Sequence, residues 1–292
     1  MKVGLMPLFG GSTSESEYVA RIGKGLEDRG FHSVWAVDHI LIPKEINSPY
    51  PYMDDGSFPV DPTLLGVEPF TLLAFIAAHT TDLRLGTGVC VLPQRSPALT
   101  AKQAADVDVL SGGRVDFGIG VGWLEEEFDA LGVPFDRRGA RSDDYIKAMK
   151  SLWEDEISSY DGEFLSLPEC YQYPKPLQKP HMPLYFGGEG KAALRRVARY
   201  GHWFGVNVMP DQVAEKMAQL KELCDREGRD INDVNVALSP YANPCDFDTL
   251  RRYEDQGVDQ VIMAAFVPGQ NEMEAAIDQI AESLIVPAKA AE

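Results

Sequence analysis

The sequence predicts an α/β fold, a (β/α)8 TIM barrel, on three observations. Eight short apolar runs that suit buried strands alternate with eight segments of helical periodicity. The chain has 292 residues, which fits one barrel of the usual size, about 250 residues, with insertions. The composition shows no linker, so we expect a single domain over residues 1–292. An open doubly wound sheet is the alternative fold.

The predicted strands are short apolar runs bounded by glycine, proline or polar residues. Each run is too short for a typical helix, and most contain valine, isoleucine or aromatic side chains, which favour strands. The predicted strands are residues 3–8, 33–37, 83–92, 115–119, 184–186, 203–208, 234–238 and 260–265.

The predicted helices combine apolar residues at three- and four-residue spacing with recognisable ends. Pro69 and Pro97 suit a first helical turn, because the amide hydrogen that proline lacks would have no partner there. Gly30, Gly112 and Gly257 suit helix ends, because glycine adopts the left-handed backbone without strain. The predicted helices are residues 19–26, 69–79, 97–110, 141–154, 191–200, 210–227, 247–256 and 271–285.

Two segments lack periodicity, and we expect both as insertions over the carboxyl-end face of the barrel. Residues 40–68 contain five prolines, which break any helix. A loop of this length inside a compact domain is usually functional, and Tyr50, Tyr52 and Phe58 favour an ordered lid. Residues 157–182, with four prolines, form the second insertion.

Charge and cysteine content argue against several classes of partner. The formal net charge of −18 disfavours nucleic acid and anionic membranes, because both are polyanions. The four cysteines show no C-x-x-C spacing, so neither a zinc site nor a disulfide framework is indicated. The amino terminus lacks the features of a signal peptide, and no apolar run approaches the roughly 18 residues that cross a bilayer. We therefore expect a cytoplasmic protein.

A glycine-rich loop follows the fourth predicted strand, where Gly118, Gly120 and Gly122 precede Trp123. Three alternate glycines at a strand end let a flat or phosphorylated ligand approach the backbone closely. A dinucleotide-binding fingerprint fits poorly, because Trp123 replaces its third glycine and because that motif belongs in the first βα unit. A tight packing turn is the alternative interpretation.

His39 is the strongest candidate for acid–base chemistry. It follows the second predicted strand, beside Asp38, and histidine is the residue type most often used as a general acid or base. A packed histidine bonded to Asp38 is the structural alternative. The acidic run at 125–127 indicates a solvent-exposed helix start, since acids suit the first helical turn. Histidine-rich spacing is absent, so no metal site is predicted.

A second candidate site is the turn of Gly187, Gly188, Glu189 and Gly190, which leads into a predicted helix. Free amides at the amino end of a helix bind phosphate, although Glu189 suits an anion only if it points away. An ordinary βα turn is the alternative.

These motifs, in this order and spacing, resemble the luciferase-like monooxygenase superfamily over nearly the whole chain. The resemblance rests on Asp38 and His39, on the run LGTGV at 85–89, and on the run PLYFGG at 183–188. The run GVGWLEEEF at 120–128, with the arginines that follow at 138 and 141, is most similar to the branch that depends on the deazaflavin coenzyme F420.

The resemblance implies a deazaflavin or FMN ring at the carboxyl ends of the strands, backed by a cis peptide bond between Gly88 and Val89. It also implies that His39 relays a proton, that the glycines of the 187–190 turn hold the phosphate, and that the protein is a homodimer. The cofactor-binding residues expected on this basis are Asp38, His39, Thr87, Gly88, Val89, Gly120, Gly122, Trp123, Gly187, Gly188, Glu189 and Gly190. Trp123 stands where some sugar-phosphate dehydrogenases of the superfamily carry a catalytic glutamate, so that reaction is not expected.

We therefore expect an F420-dependent oxidoreductase that transfers a hydride between the coenzyme and a small organic substrate, with His39 as the catalytic residue. An FMN-dependent luciferase-like monooxygenase and a non-catalytic protein that binds a flavin or deazaflavin are the alternatives. A cofactor-free barrel hydrolase would require the acidic run at 125–127 to lie in the pocket.

Overall fold

The structure is a computed structural model that describes residues 1–241 and 243–291. Its strands lie close to the predicted positions. In chain order they are β1 (Lys2–Pro7), β2 (Ser33–Ala36), β3 (Arg84–Thr87), β4 (Cys90–Val91), β5 (Val115–Gly120), β6 (Ser158–Asp161), β7 (Ser166–Cys170), β8 (Leu184–Gly187), β9 (His202–Val206), β10 (Val236–Tyr241) and β11 (Gln260–Ala265).

Parallel pairing closes all of these strands except β6 and β7 into a barrel, which confirms the predicted fold. The hydrogen-bonded order is β3-β2-β1-β11-β10-β9-β8-β5, and β5 pairs with β3 to complete the ring. The third predicted strand is divided at the Gly88–Val89 peptide bond, which is cis as the resemblance implies. β4 continues β3 beyond this bond and pairs with the same neighbour, β5, so the barrel has eight strands.

The helices surround the barrel and begin or end largely where the sequence signals predict. Gly30 follows α1 with a φ of 83°, and Gly228 follows α7 with a φ of 70°, both left-handed. In chain order the helices are α1 (Ser16–Arg29), α2 (Pro69–Ala77), α3 (Pro97–Leu110), α4 (Glu125–Ala130), α5 (Arg138–Glu154), α6 (Lys191–Tyr200), α7 (Pro210–Glu227), α8 (Phe247–Asp255), α9 (Gln270–Ile280) and α10 (Val286–Ala291).

Helix α5 begins at Arg138, three residues earlier than predicted, because Arg137 takes the left-handed conformation just before it. The short helix α4 begins at Glu125, where the acidic run indicates a helix start, although the predicted helix ranges do not include it. The last predicted helix, 271–285, corresponds to α9 and a π-helical turn at Ala281–Ile285, and α10 continues beyond its predicted end.

The amino-terminal half of the barrel interior is filled by aromatic side chains. The Trp35 ring is fully buried and lies 5.0 Å from the Phe204 ring and 5.5 Å from the Tyr185 ring, between centroids. Gly86 makes room for it, because a Cβ at that position would lie 2.4 Å from the Trp35 ring. This packing lies beneath the cavity at the carboxyl ends of the strands, which Phe204 also lines.

The second insertion contains regular structure that its sequence did not predict. β6 and β7 pair as an antiparallel hairpin on the outside of α5, where the Phe164 amide donates to Asp144. The following segment runs along α3, and Gln178 donates to Asp108 and to the Val115 carbonyl at the start of β5. This position differs from the expected one over the carboxyl-end face, because the segment is held by α3 and α5.

No helix in the described residues 1–241 and 243–291 combines the length and apolarity needed to cross a lipid bilayer.

Candidate active site

A cavity of about 350 Å³ lies at the carboxyl ends of the barrel strands. Every barrel strand contributes to it through its end or through the loop that follows. The contributing residues are Met6, Leu8, Val37, Asp38, His39, Gly88, Val89, Val91, Gly120, Val121, Gly122, Trp123, Gly187, Gly188, Phe204, Val206, Tyr241 and Phe266. Because TIM-barrel enzymes carry their active sites at this end, we assign the cavity as the candidate active site.

The floor of the cavity is backbone with little side-chain cover. The side chain of Val89 occupies the space between two glycines, so that a Cβ at Gly120 would lie 2.5 Å from Val89 Cγ2, and one at Gly187 would lie 3.2 Å from it. A Cβ at Gly122 would lie 2.7 Å from the Phe128 ring. A Cβ would therefore clash at Gly120 and Gly122, and at Gly187 it would require a small shift of Val89. The three glycines add no side chains of their own to this side of the cavity, which suits a planar ligand.

The first insertion supplies an aromatic wall to the cavity. The Tyr50 ring centroid lies 5.0 Å from that of Trp123 and 5.2 Å from that of Phe58. The hydroxyl oxygens of Tyr50 and Tyr241 are 2.6 Å apart, which links the insertion to the end of β10. Burial raises the pKa of Tyr50 and of Tyr52 well above the ordinary value, so both phenols stay uncharged. The wall is thus apolar with a few hydroxyl donors.

His39 lies at the edge of this cavity, with a side chain that is 13% exposed. Its Nδ1 lies 2.9 Å from Glu127 Oε2. Within the described residues, its Nε2 has no hydrogen-bond partner. The rings of Phe58 and Trp123 flank it at 5.8 and 6.2 Å between centroids. The alternative that pairs His39 with Asp38 is therefore wrong, since its partner is Glu127.

Glu127 is a residue of the candidate site that the sequence interpretation missed. Its side chain is 1% exposed, although the acidic run was expected to face solvent. Glu127 Oε1 accepts from the amides of Ile40, at 2.7 Å, and Leu41, at 3.2 Å. Burial acts to raise the pKa of Glu127, but hydrogen bonds from His39, Gln94 and Leu41 outweigh it and lower the pKa. The carboxylate is therefore ionised and fully engaged.

The neighbouring Glu126 also binds the first insertion, but farther from the cavity. It accepts from the amides of Asn47, at 2.7 Å, and Ser48, at 3.0 Å, and from the Ser48 hydroxyl. Glu125 is exposed. Of the three acids, Glu127 alone lines the cavity, and it is already paired. The arrangement lacks the pair of available carboxylates that the hydrolase alternative requires.

Asp38 borders the cavity, but both of its carboxylate oxygens accept hydrogen bonds from other residues of the protein. Asp38 Oδ1 lies 2.5 Å from Arg95 Nη2, and Oδ2 accepts from Arg95 Nε at 3.0 Å and from the Val91 amide at 2.8 Å. Arg95 also pairs with Glu68 at 3.0 Å. Asp38 therefore joins the end of β2 to β4 and to the start of α2.

Three predicted cofactor-binding residues do not line the cavity. The Thr87 hydroxyl donates to the Gly118 carbonyl at 2.6 Å and is buried. The Glu189 carboxylate turns away from the glycine turn and accepts from the Val206 amide at 2.6 Å. Burial raises its pKa. Gly190 is the residue before the first turn of α6. It faces open space, since a Cβ there would meet no atom within 4 Å.

Arg138 is a second residue that the predicted site omitted. It lines the cavity, its Nε donates to the Gly122 carbonyl at 3.0 Å, and its guanidinium lies 3.8 Å from the Phe135 ring centroid. Burial lowers its pKa, although arginine stays charged at any physiological pH. The signal for Arg138 in the sequence was its place in the family resemblance.

Metal-ligating side chains do not cluster anywhere in the described parts of the chain, where no group of three or more His, Cys, Asp or Glu could hold an ion.

Comparison with known proteins agrees with this geometry. A family model described as luciferase-like monooxygenase matches residues 1–276. The uncharacterized protein Rv0940c of Mycobacterium tuberculosis is 35% identical over 249 residues, 85% of this chain and 84% of that protein. The FMNH(2)-dependent dimethylsulfone monooxygenase of Pseudomonas putida is 35% identical over 143 residues, 48% of this chain and 39% of that enzyme.

Two solved structures share the fold across almost their whole length. Monooxygenase RslO1 from Streptomyces bottropensis superposes with a TM-score of 0.77 at 20% identity, covering 99% of this chain and 100% of that one. The coenzyme F420 dependent tetrahydromethanopterin reductase from Methanopyrus kandleri gives a TM-score of 0.75 at 17% identity, covering 97% and 98%.

Proposed function

The chain belongs to the luciferase-like monooxygenase family, and from this premise we propose that it is an F420-dependent oxidoreductase acting on a small organic substrate. The observation that carries the proposal is the flat, glycine-floored cavity with one histidine at its edge. When bound, a deazaflavin would supply hydride-transfer chemistry at its C5 position. The protein binds and orients both partners and excludes water.

The residues present fit a deazaflavin ring. Gly120, Gly122 and Gly187 leave the backbone accessible on one side of the cavity, while the rings of Tyr50 and Trp123 form an apolar wall. The volume of about 350 Å³ lies in the range of small-molecule sites, which are mostly apolar with a few placed polar groups.

The phosphate of the coenzyme would lie at the start of α6. Gly188 lines the cavity with a φ of 114°, and the open space beside Gly190 leads to the first turn of the helix. Helix amino termini attract anions through their free amides. The Glu189 carboxylate faces β9 rather than this turn, which removes the main objection to an anion there.

His39 would move the proton that accompanies hydride transfer. Its Nε2 is free of protein partners in the described residues, and its Nδ1 is held by Glu127. A histidine placed in this way exchanges a proton with a substrate oxygen near neutral pH. Trp123 and Phe58 flank the ring and shield that exchange from solvent.

His39→Ala tests this role, with His79→Ala as a matched control, because His79 is exposed, lies just after α2, and its Nδ1 contacts the Phe75 carbonyl of that helix. We expect His39→Ala to keep the coenzyme affinity and to lower kcat by about 10²–10⁴-fold, the usual contribution of general acid–base catalysis. Unchanged turnover in His39→Ala would rule out a catalytic histidine. Binding without turnover on any substrate would instead support the non-catalytic alternative.

An FMN-dependent monooxygenase is the second candidate, because the FMNH(2)-dependent relative shares 35% identity over 143 residues. Oxygen consumption separates the two candidates, since deazaflavins react poorly with oxygen. Rapid substrate-dependent oxygen uptake with reduced FMN, and none with reduced F420, would favour the second candidate.

We also propose that the protein forms a homodimer. Five large apolar side chains on α3 and the second insertion support this proposal, since each is at least 55% exposed: Leu99, Leu110, Tyr171, Tyr173 and Leu177. Light scattering should give a dimer for the wild type and a monomer for Leu110→Glu. A monomeric wild type would contradict the proposal.

A further inference from the structure

We propose that Glu127 is a positioning residue that holds His39 in the tautomer protonated on Nδ1, so that Nε2 is the atom that exchanges protons in the cavity. The proton-exchange part rests on the proposed function. The tautomer itself can be measured without any cofactor or substrate.

The chemistry of the contact determines where the hydrogen lies. An ionised carboxylate accepts hydrogen bonds and donates none, so the 2.9 Å contact between Glu127 Oε2 and His39 Nδ1 requires the hydrogen on Nδ1. In neutral imidazole the other nitrogen is then an acceptor. That nitrogen, Nε2, has no partner in the described part of the chain, and His39 lines the cavity.

The carboxylate cannot easily turn away from the histidine. Its other oxygen, Oε1, accepts from two consecutive amides, those of Ile40 and Leu41, which follow His39 directly in the chain. The Glu127 side chain is 1% exposed, so bulk water has little access to these contacts. Glu127 therefore fixes both the rotation of the ring and the backbone that carries it.

Glu127→Gln is an informative change because it preserves the hydrogen bonds from the backbone amides while it reverses the direction of the hydrogen bond to the His39 ring. The glutamine carbonyl can accept from the Ile40 and Leu41 amides as Oε1 does. Its NH2 group then faces His39 Nδ1, and an amide NH2 only donates. His39 Nδ1 must become the acceptor, and the hydrogen moves to Nε2.

Glu126→Gln is the matched control. Glu126 lies next to Glu127 on α4 and also accepts from backbone amides of the first insertion, those of Asn47 and Ser48. It has no contact with His39 in the described structure. An effect that comes only from loosening the insertion would appear in both variants, whereas an effect on the tautomer would appear only in Glu127→Gln.

The experiment is nitrogen NMR of the protein labelled with 15N-histidine, recorded at about pH 8, above the ordinary histidine pKa. The chain has five histidines, so the His39 signals are identified by their loss in His39→Gln. We expect the wild type and Glu126→Gln to show hydrogen on Nδ1 only. We expect Glu127→Gln to show hydrogen on Nε2, with an unchanged far-ultraviolet circular dichroism spectrum.

A second measurement follows turnover. We expect Glu127→Gln to lower kcat by roughly 10²-fold, the lower end of general acid–base contributions, with a nearly unchanged KM, and Glu126→Gln to retain wild-type kcat. A wild-type His39 with hydrogen on Nε2 or on both nitrogens overturns the inference, as does an unchanged tautomer in a folded Glu127→Gln. Failure to bind F420 would overturn the proposed function. The NMR measurement of the His39 tautomer would still decide whether Glu127 positions His39.

Discussion

Asp38→Asn tests whether the buried carboxylate beside the candidate site holds the fold. The side chains of Asp38 and Arg95 are 1% and 10% exposed, and two hydrogen bonds join them. Removing one partner of a buried pair costs about 3–5 kcal/mol, because the other charge stays buried without its partner. Glu68 still contacts Arg95 at 3.0 Å, and asparagine can still accept from the Val91 amide, so we expect the lower end, about 3 kcal/mol.

Urea unfolding at neutral pH, followed by circular dichroism, measures this loss. Glu68→Gln is the matched control, because Glu68 pairs with the same arginine but is 35% exposed. Exposed pairs contribute about 1 kcal/mol or less, so the control should lose far less stability than Asp38→Asn. Equal losses in the two variants would refute the reasoning. A weakened coenzyme affinity with unchanged stability would show instead that Asp38 acts on the ligand.

Three further predictions concern the first insertion and the cavity floor. Glu126→Ala removes the acceptor for the amides of Asn47 and Ser48, so hydrogen exchange at these two amides should speed up while exchange in the barrel strands stays unchanged. Burial acts to raise the pKa of Glu126, but hydrogen bonds led by the Ser48 hydroxyl outweigh it and lower the pKa to about 2. The ionised Glu126 should therefore stabilise the fold fully above about pH 4.3, the ordinary pKa of glutamate, and this stabilisation should be lost as the pH falls toward 2. Urea unfolding should show this pH dependence of stability in the wild type and not in Glu126→Gln. Gly120→Ala places a Cβ 2.5 Å from Val89 Cγ2. Urea unfolding should therefore show a loss of about 1–3 kcal/mol in stability, and titration should show a lower coenzyme affinity. Wild-type affinity and stability would contradict the assignment of Gly120 to the cavity floor.

The strands and helices were predictable because their signals are local. Gly30 and Pro69 mark helix boundaries through the backbone conformations that each residue permits, whatever lies nearby. The hairpin of β6 and β7 was missed because it lies on the protein surface and its residues do not alternate between apolar and polar. A hairpin of this kind depends on the helices beneath it.

The candidate site was predictable as a location and only in part as a set of contacts. His39 and Gly120 follow strand ends, and a closed barrel brings all strand ends to one face. Glu127 looked like one member of an exposed acidic run, because nothing in the local sequence shows that the first insertion folds over α4. The partner of His39 lies 88 residues away in the chain, so the pairing appears only in three dimensions.

Parallel titration of the purified protein with F420 and with FMN tests the proposed function most directly. We predict saturable binding of oxidised F420 with a stoichiometry of one per chain, quenching of tryptophan fluorescence from Trp123, and much weaker binding of FMN. The same titration of Gly120→Ala should show weaker F420 binding, because the floor of the cavity is altered. Saturable binding of FMN without binding of F420 would contradict the proposed coenzyme, and failure to bind either would contradict the assignment of the cavity as a cofactor site.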